Sequence, residues 1–234
     1  MKEERRTLDE EITFQRNLKG VELRSFERVS NSGIFEGMSE REWENAGREA
    51  VRKGDVVARK GFNGFIELLE KSEILWDIVS VNFCDSFIRG VLLEVLGELG
   101  GNVRILANFP DDKGMLRGAK LEGDPDRRIL ATSDSKLLAM LDVLQPKDIV
   151  GESRAVYIGD SGTDIECLTE AGVLGIIMSD DGESSLMKTM RRVGWQVFHV
   201  GEIEDGKQES LRWARDFDEI RQSPLLKGIG QWQL

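Results

Sequence analysis

Histidine is nearly absent from this chain: His199 stands alone among 234 residues. A single imidazole argues against zinc sites built on several histidines and against His-based catalytic triads. Cysteine is almost as scarce. Cys84 and Cys167 cannot form a disulfide framework, so a reducing, cytoplasmic setting is the expectation. No apolar run approaches the roughly 18 residues a membrane span needs. The opening MKEERRTLDEE has no apolar core of the kind a signal peptide carries. Basic excess is missing too. There are 32 Lys and Arg against 43 Asp and Glu, for a net charge of −11. Electrostatic binding to nucleic acid or to an anionic membrane is therefore disfavoured. Repeats and low-complexity linkers are also absent. What remains is a globular composition, 40% apolar and 32% charged. Its length suits one large domain, or one domain with a modest insertion.

The charge is unevenly placed. Residues 1–60 hold 13 basic and 13 acidic side chains, so the whole −11 falls on the rest. The first 72 residues have helical spacing. Leu8, Ile12 and Leu18 mark one face over 3–17; Val21, Ser25 and Val29, with Phe26 beside them, mark another over 20–30. Ser39 with Glu42 forms a capping box opening a helix to about Arg52, and 61–71 reads as a fourth helix. Beyond residue 72 the pattern alternates. Strands are expected at 76–81, 103–107, 155–158, 175–178 and 195–200, and a hairpin arm at 114–122. Helices are expected at 83–96, 135–144, 164–171 and 184–193, with a charged helix at 209–221. This predicts an α/β, Rossmann-like, doubly wound parallel sheet over 73–234, preceded by a helical region over 1–72.

One segment carries chemistry by itself. In Tyr157-Ile-Gly-Asp160-Ser-Gly-Thr-Asp164 an apolar strand ends in glycine and two carboxylates four residues apart. Ligands of open α/β sheets bind at the carboxyl ends of strands, and paired carboxylates there suit a hard cation such as Mg²⁺. The plainer alternative is a pair of loop aspartates, one capping a helix. Ser80, followed by Asn82, ends the expected strand at 76–81, where a hydroxyl and backbone N–H groups suit a phosphate. Lys136, in Thr132-Ser-Asp-Ser-Lys136, lies near the start of a helix and suits a phosphoryl oxygen.

Hydroxyl, lysine and Gly-Asp-x-x-x-Asp, in that order, resemble motifs two to four of the haloacid dehalogenase superfamily of phosphatases. The helices before Ser80 resemble that superfamily's helical cap. More narrowly, the chain is similar to the phosphatase domain of plant thiamine monophosphate phosphatases and their fungal relatives. The similar stretches are Ser32-Gly-Ile-Phe-Glu-Gly37, Val79-Ser-Val-Asn-Phe-Cys84, Phe87-Ile-Arg89, Ala107-Asn108, Val156-Tyr-Ile-Gly-Asp-Ser161, Glu183-Ser-Ser-Leu186 and Val193-Gly194. The resemblance implies hydrolysis of a small phosphomonoester, thiamine monophosphate being the leading candidate, through an aspartyl-phosphate. It implies Mg²⁺ on Asp160 and, directly or through water, on Asp164. Ser80 would hydrogen-bond the phosphoryl group, Lys136 would pair with it, and Asn82 would line the entrance.

The resemblance also implies a first strand ending in Asp-x-Asp-x-Thr, which supplies the nucleophile and the general acid/base. No such segment stands in this sequence, which opens within the cap-like region. The expectation is a core lacking its first strand, weak Mg²⁺ binding and no turnover by this chain alone. Two Asp-x-Asp pairs lie elsewhere. Asp124-Pro-Asp126 reads as a turn. Asp216-Phe-Asp218 follows 211–215, which reads as charged helix rather than strand. A non-catalytic binding or regulatory domain on the same fold is the competing reading. A dinucleotide-binding protein is disfavoured, since no Gly-x-Gly-x-x-Gly follows a strand. Cys84 and Cys167 read as small buried or half-buried side chains and Trp43, Trp76, Trp195 and Trp213 as packing residues, Trp43 having the alternative of stacking on a substrate ring; His199 ends a strand and is expected to have no catalytic role. Arg24, Arg28 and Arg89 are candidates for an anionic substrate, the first two more plainly helix decoration. Oligomeric state is not encoded legibly.

Overall fold

A computed structural model describes residues 5–122, 124, 126–144, 155–202 and 211–227. In chain order the elements are α1 (Leu8–Asn17), α2 (Lys19–Ser30), α3 (Glu40–Lys53), α4 (Phe62–Lys71), β1 (Ile78–Val79), α5 (Asp85–Leu96), β2 (Ile105–Leu106), β3 (Phe109–Pro110), β4 (Leu116–Arg117) and α6 (Ser133–Val143). Then follow β5 (Ala155–Gly159), α7 (Ile165–Leu168), β6 (Val173–Met178), α8 (Ser185–Arg192), β7 (Val197–His199), β8 (Leu211–Ala214), α9 (Phe217–Gln222) and α10 (Pro224–Lys227). The first two residues of the helix expected at 3–17, residues 209–210 of the expected tail helix, and Pro125 lie outside the described residues. Among the described residues no helix is long and apolar enough to cross a membrane.

The chain divides into two compact units. The first comprises Met1–Asn17, Arg59–Ser72 and Leu144–Leu234; the second comprises Leu18–Ala58 and Glu73–Val143. Helices of the first 72 residues therefore occur in both.

The first unit is built on a four-stranded sheet in the order β5-β6-β8-β7, every pair parallel. Its core gathers Ile165, Leu168, Ile177, Leu186, Met187, Met190 and Leu211, with Leu8 and Ile12 of α1 packed against it. This α/β architecture with a parallel sheet matches the expected class. One element differs from expectation. Residues 211–214 form a strand paired on both sides, not a charged helix, and only 217–222 is helical. Arg212 misled the pattern. It is buried, lies opposite Phe198 in the β7–β8 register, and sets its guanidinium over that ring at 5.5 Å. A charged residue in a central strand looks solvated in sequence; here sheet pairing and an aromatic face keep it inside.

A second buried charge joins α1 to α8. Glu11 is 2% exposed and accepts from Arg5 Nε at 2.6 Å, Arg192 Nη2 at 2.7 Å and Gln15 Nε2 at 3.1 Å. Burial pushes its carboxyl up, but these donors outweigh burial and hold it below the ordinary range.

The second unit pairs β1 with β2 in parallel and β3 with β4 in antiparallel; β4 lies within the 114–122 expected as a hairpin arm, and its partner β3 lies before it. The strands expected at 76–81 and 103–107 shrink to two residues each. Helix α3 opens with the expected capping box: Ser39 N donates to Glu42 Oε2 at 2.8 Å and Glu42 N to Ser39 Oγ at 3.4 Å. In α2 the buried residues are Phe26 and Ser30, while Val21 stands exposed. Helices α3 and α5 cross at two glycines. A Cβ on Gly47 would lie 2.2 Å from Phe87 O, and one on Gly90 would lie 1.9 Å from Glu44 O. Backbone fills both places, so neither can be relieved by a rotamer change.

Two outcomes follow. Gly90→Ala should destabilise by at least about 2 kcal/mol through overpacking. The exposed helical Gly20→Ala should instead stabilise, by up to about 1 kcal/mol; urea unfolding of both variants checks the pair. Because the folded Glu11 carboxyl titrates below its unfolded value, its contribution is full above about pH 4.3 and is lost as pH falls through the depressed value. Glu11→Gln should therefore lower stability near neutrality and flatten its fall as pH drops below about 4.3, measured by the same unfolding at several pH values.

Candidate functional site

The five residues singled out from sequence divide between the units. Ser80, Asn82 and Lys136 belong to the second, Asp160 and Asp164 to the first.

In the second unit, β1 ends and the chain turns through Ser80-Val-Asn82. Ser80 N donates to Leu106 O at 2.9 Å, continuing the ladder with β2. Ser80 Oγ accepts from Asn82 N at 3.1 Å, and Asn82 Oδ1 accepts from Cys84 N at 3.0 Å. Ser80 is half-buried and Asn82 exposed. Lys136 is 7% exposed in the first turn of α6, its N donating to Thr132 O at 3.1 Å. The same turn is fixed by Ser135 Oγ, which accepts from the N–H groups of Ala131 and Thr132, both at 3.0 Å. Ahead of it Asp134 pairs with Lys19 at 3.2 Å.

A residue with no role assigned from sequence joins these two turns. Asn108, fully buried, donates through Nδ2 to Asn82 O at 3.0 Å, Leu130 O at 2.9 Å and Val81 O at 3.3 Å. Its Oδ1 accepts from Leu130 N at 2.8 Å. Its backbone O accepts from Asp85 N at 2.9 Å, at the start of α5. One amide side chain thus fixes the turn after β1 and the approach to α6. The available signal was a lone polar residue closing an apolar strand, in Arg104-Ile-Leu-Ala-Asn108.

In the first unit, β5 ends at Gly159 and the turn 160–164 follows. Asp160 is exposed, and its carboxylate has no hydrogen bond or ion pair among the described residues. Asp164 is 2% exposed. Its Oδ1 accepts from Tyr157 Oη at 2.7 Å. Its Oδ2 accepts from Ser161 N at 2.9 Å, Ser161 Oγ at 2.8 Å and Asp160 N at 3.2 Å. The two aspartates thus occupy opposite environments. For a divalent cation the donor chemistry of Asp160 fits; that of Asp164 does not, because its oxygens already serve the turn. Among the described residues no three His, Cys, Asp or Glu side chains are grouped to hold a metal ion.

The remaining candidates have local employment. Asp216 follows β8 after one residue, Arg215, so Asp216-Phe-Asp218 has a strand before it, contrary to expectation. Asp216 Oδ1 caps α9 by accepting from Glu219 N at 3.0 Å, and Lys60 lies 3.5 Å from Asp216 and 3.4 Å from Asp218. Asp124 makes a turn, its carboxylate accepting from Arg128 N at 2.8 Å and Arg128 Nε at 2.9 Å. Cys84 is buried and its thiol is pushed up to about 11 by burial, a poor state for a nucleophile. Cys167 is wholly buried. His199 Nε2 sits 2.9 Å from Glu219, and Nδ1 accepts from Gly201 N at 3.2 Å. Trp43 packs on Phe35 with ring centroids 5.3 Å apart. Arg24, Arg28 and Arg89 are exposed.

Replacing Asn108 by Leu should cost about 2–4 kcal/mol, since it orphans the buried Leu130 N–H and several carbonyls. Asn108→Asp keeps the acceptor but loses the donors and should also destabilise. Thermal unfolding, with amide exchange at Leu130 as the local reporter, checks both.

Compared with known proteins, the chain finds no counterpart: no family model, no curated protein and no solved structure matches it.

Proposed function

We propose that this chain is a haloacid dehalogenase-like domain of a Mg²⁺-dependent phosphatase acting on a small phosphomonoester, thiamine monophosphate being the leading candidate. The observation that carries this reading is Asp160: an exposed carboxylate, without a partner among the described residues, just past a parallel strand in a Gly-Asp-x-x-x-Asp turn. The Ser80 turn and Lys136 add to it. Each lies beside the end of a β-strand or the start of a helix, in the chain order of the superfamily's motifs.

The roles are these. Ser80 hydrogen-bonds the phosphoryl group, Lys136 neutralises one of its oxygens, and Asn82 borders the entrance. Asp160 is the carboxylate for Mg²⁺, which when bound would offset charge on the phosphoryl group.

The test compares this chain with a form extended at its N-terminus by an apolar strand ending in Asp-x-Asp-x-Thr. Both are assayed for Mg²⁺-dependent phosphate release from p-nitrophenyl phosphate and thiamine monophosphate. The extended form should turn over, the chain as it stands should not, and Asp160→Asn in the extended form should lower the rate by at least about 100-fold. A folded extended form with no turnover would favour a non-catalytic domain. Turnover by the unextended chain would move the nucleophile to a residue already present, with Asp216 first in line.

A further inference from the structure

The two aspartates of the turn after β5 are chemically unequal, and the resemblance treats them as a pair. A carboxylate offers about four lone-pair directions. Asp164 accepts from four donors of its own unit: Tyr157 Oη on Oδ1, and Ser161 N, Ser161 Oγ and Asp160 N on Oδ2. It lies under the strand tip, in a space that exists because residue 159 is glycine. A Cβ there would stand 2.6 Å from the Asp164 Cγ. Tyr157, the only tyrosine of the chain, reaches the same carboxylate from within β5. The strand is thereby tied to the turn that follows it.

We propose that Asp164 is a positioning residue rather than a metal ligand. Its carboxylate, clamped by Tyr157, holds the turn 160–164 so that Asp160 alone presents a free carboxylate at the end of β5. The proposal rests on Asp160 being the metal-facing group. It assigns to Asp164 a task that competes with ligation, because a cation on Oδ2 would displace donors that fix the turn and one on Oδ1 would crowd the Tyr157 hydroxyl.

Substitution separates the two roles. Asn at 164 keeps an oxygen for the Ser161 and Asp160 N–H groups, and its amide nitrogen can donate to the Tyr157 hydroxyl, which accepts as readily as it donates. Ala at 164 keeps neither. Two readouts on the full chain are needed: hydrogen exchange of the Asp160 and Ser161 amides, and Mn²⁺ affinity by paramagnetic resonance. Asp164→Asn should keep amide protection and bind Mn²⁺ within about threefold of the native chain. Asp164→Ala should lose about tenfold in both. Asp160→Asn should keep protection and lose at least about tenfold in Mn²⁺ affinity. Tyr157→Phe should raise exchange at Ser161 while exchange in β6 stays unchanged.

The proposal is overturned if Asp164→Asn loses Mn²⁺ as fully as Asp160→Asn with protection intact, which makes Asp164 a ligand. It is equally overturned if Asp164→Ala leaves protection unchanged. Should the native chain bind no Mn²⁺, the metal assignment of Asp160 fails, and the exchange rates alone still decide whether Asp164 holds the turn.

Discussion

A buried polar side chain must find its hydrogen bonds within reach, and this requirement shapes both regions where chemistry is proposed. Asn108 meets it by bonding the main chain after β1 and before α6. Asp164 meets it by bonding the main chain and side chains of its own turn. In each case the desolvation cost of an unpaired amide or carboxylate exceeds the cost of fixing a loop. The loop is therefore ordered, and the residues it displays are held in place without packing of their own. Ser80 and Asn82 depend on the first arrangement, Asp160 on the second.

Close approach is the companion constraint. Gly47 and Gly90 let α3 and α5 meet backbone to backbone, and Gly159 admits a carboxylate under a strand end. Each glycine costs conformational entropy on folding and is offset by contacts that a methyl group would prevent. The buried ion cluster at Glu11 works differently. It joins α1 to α8 and repays desolvation only because several donors converge on one carboxylate.

Much of this was legible in the residues. The alternation after residue 72, the Ser39–Glu42 capping box and the Gly-Asp strand end are local signals, and the helices and strands they mark are present, several of them shorter. The segment 211–214 was not legible. Its arginine and tryptophan suit a solvated helix as well as a strand, and only pairing with β6 and β7 decides between them. Asn108 was visible as a polar residue ending an apolar run, but its side-chain partners Val81, Asn82 and Leu130 come from 22 to 27 residues away in the chain.

The sequence by itself determined the class of fold, the absence of a membrane-crossing helix among the described residues, and the identity of the polar groups placed near strand and helix ends. Those properties are set by composition and by spacing within a dozen residues, where periodicity and capping act. Tertiary structure alone decided which of two neighbouring aspartates is exposed and which is consumed, because the decisive donor, Tyr157, reaches Asp164 only when the strand and its turn fold back on each other. It also decided that Arg212 is interior, since the aromatic face and the flanking strands that hold it there exist only in the assembled sheet.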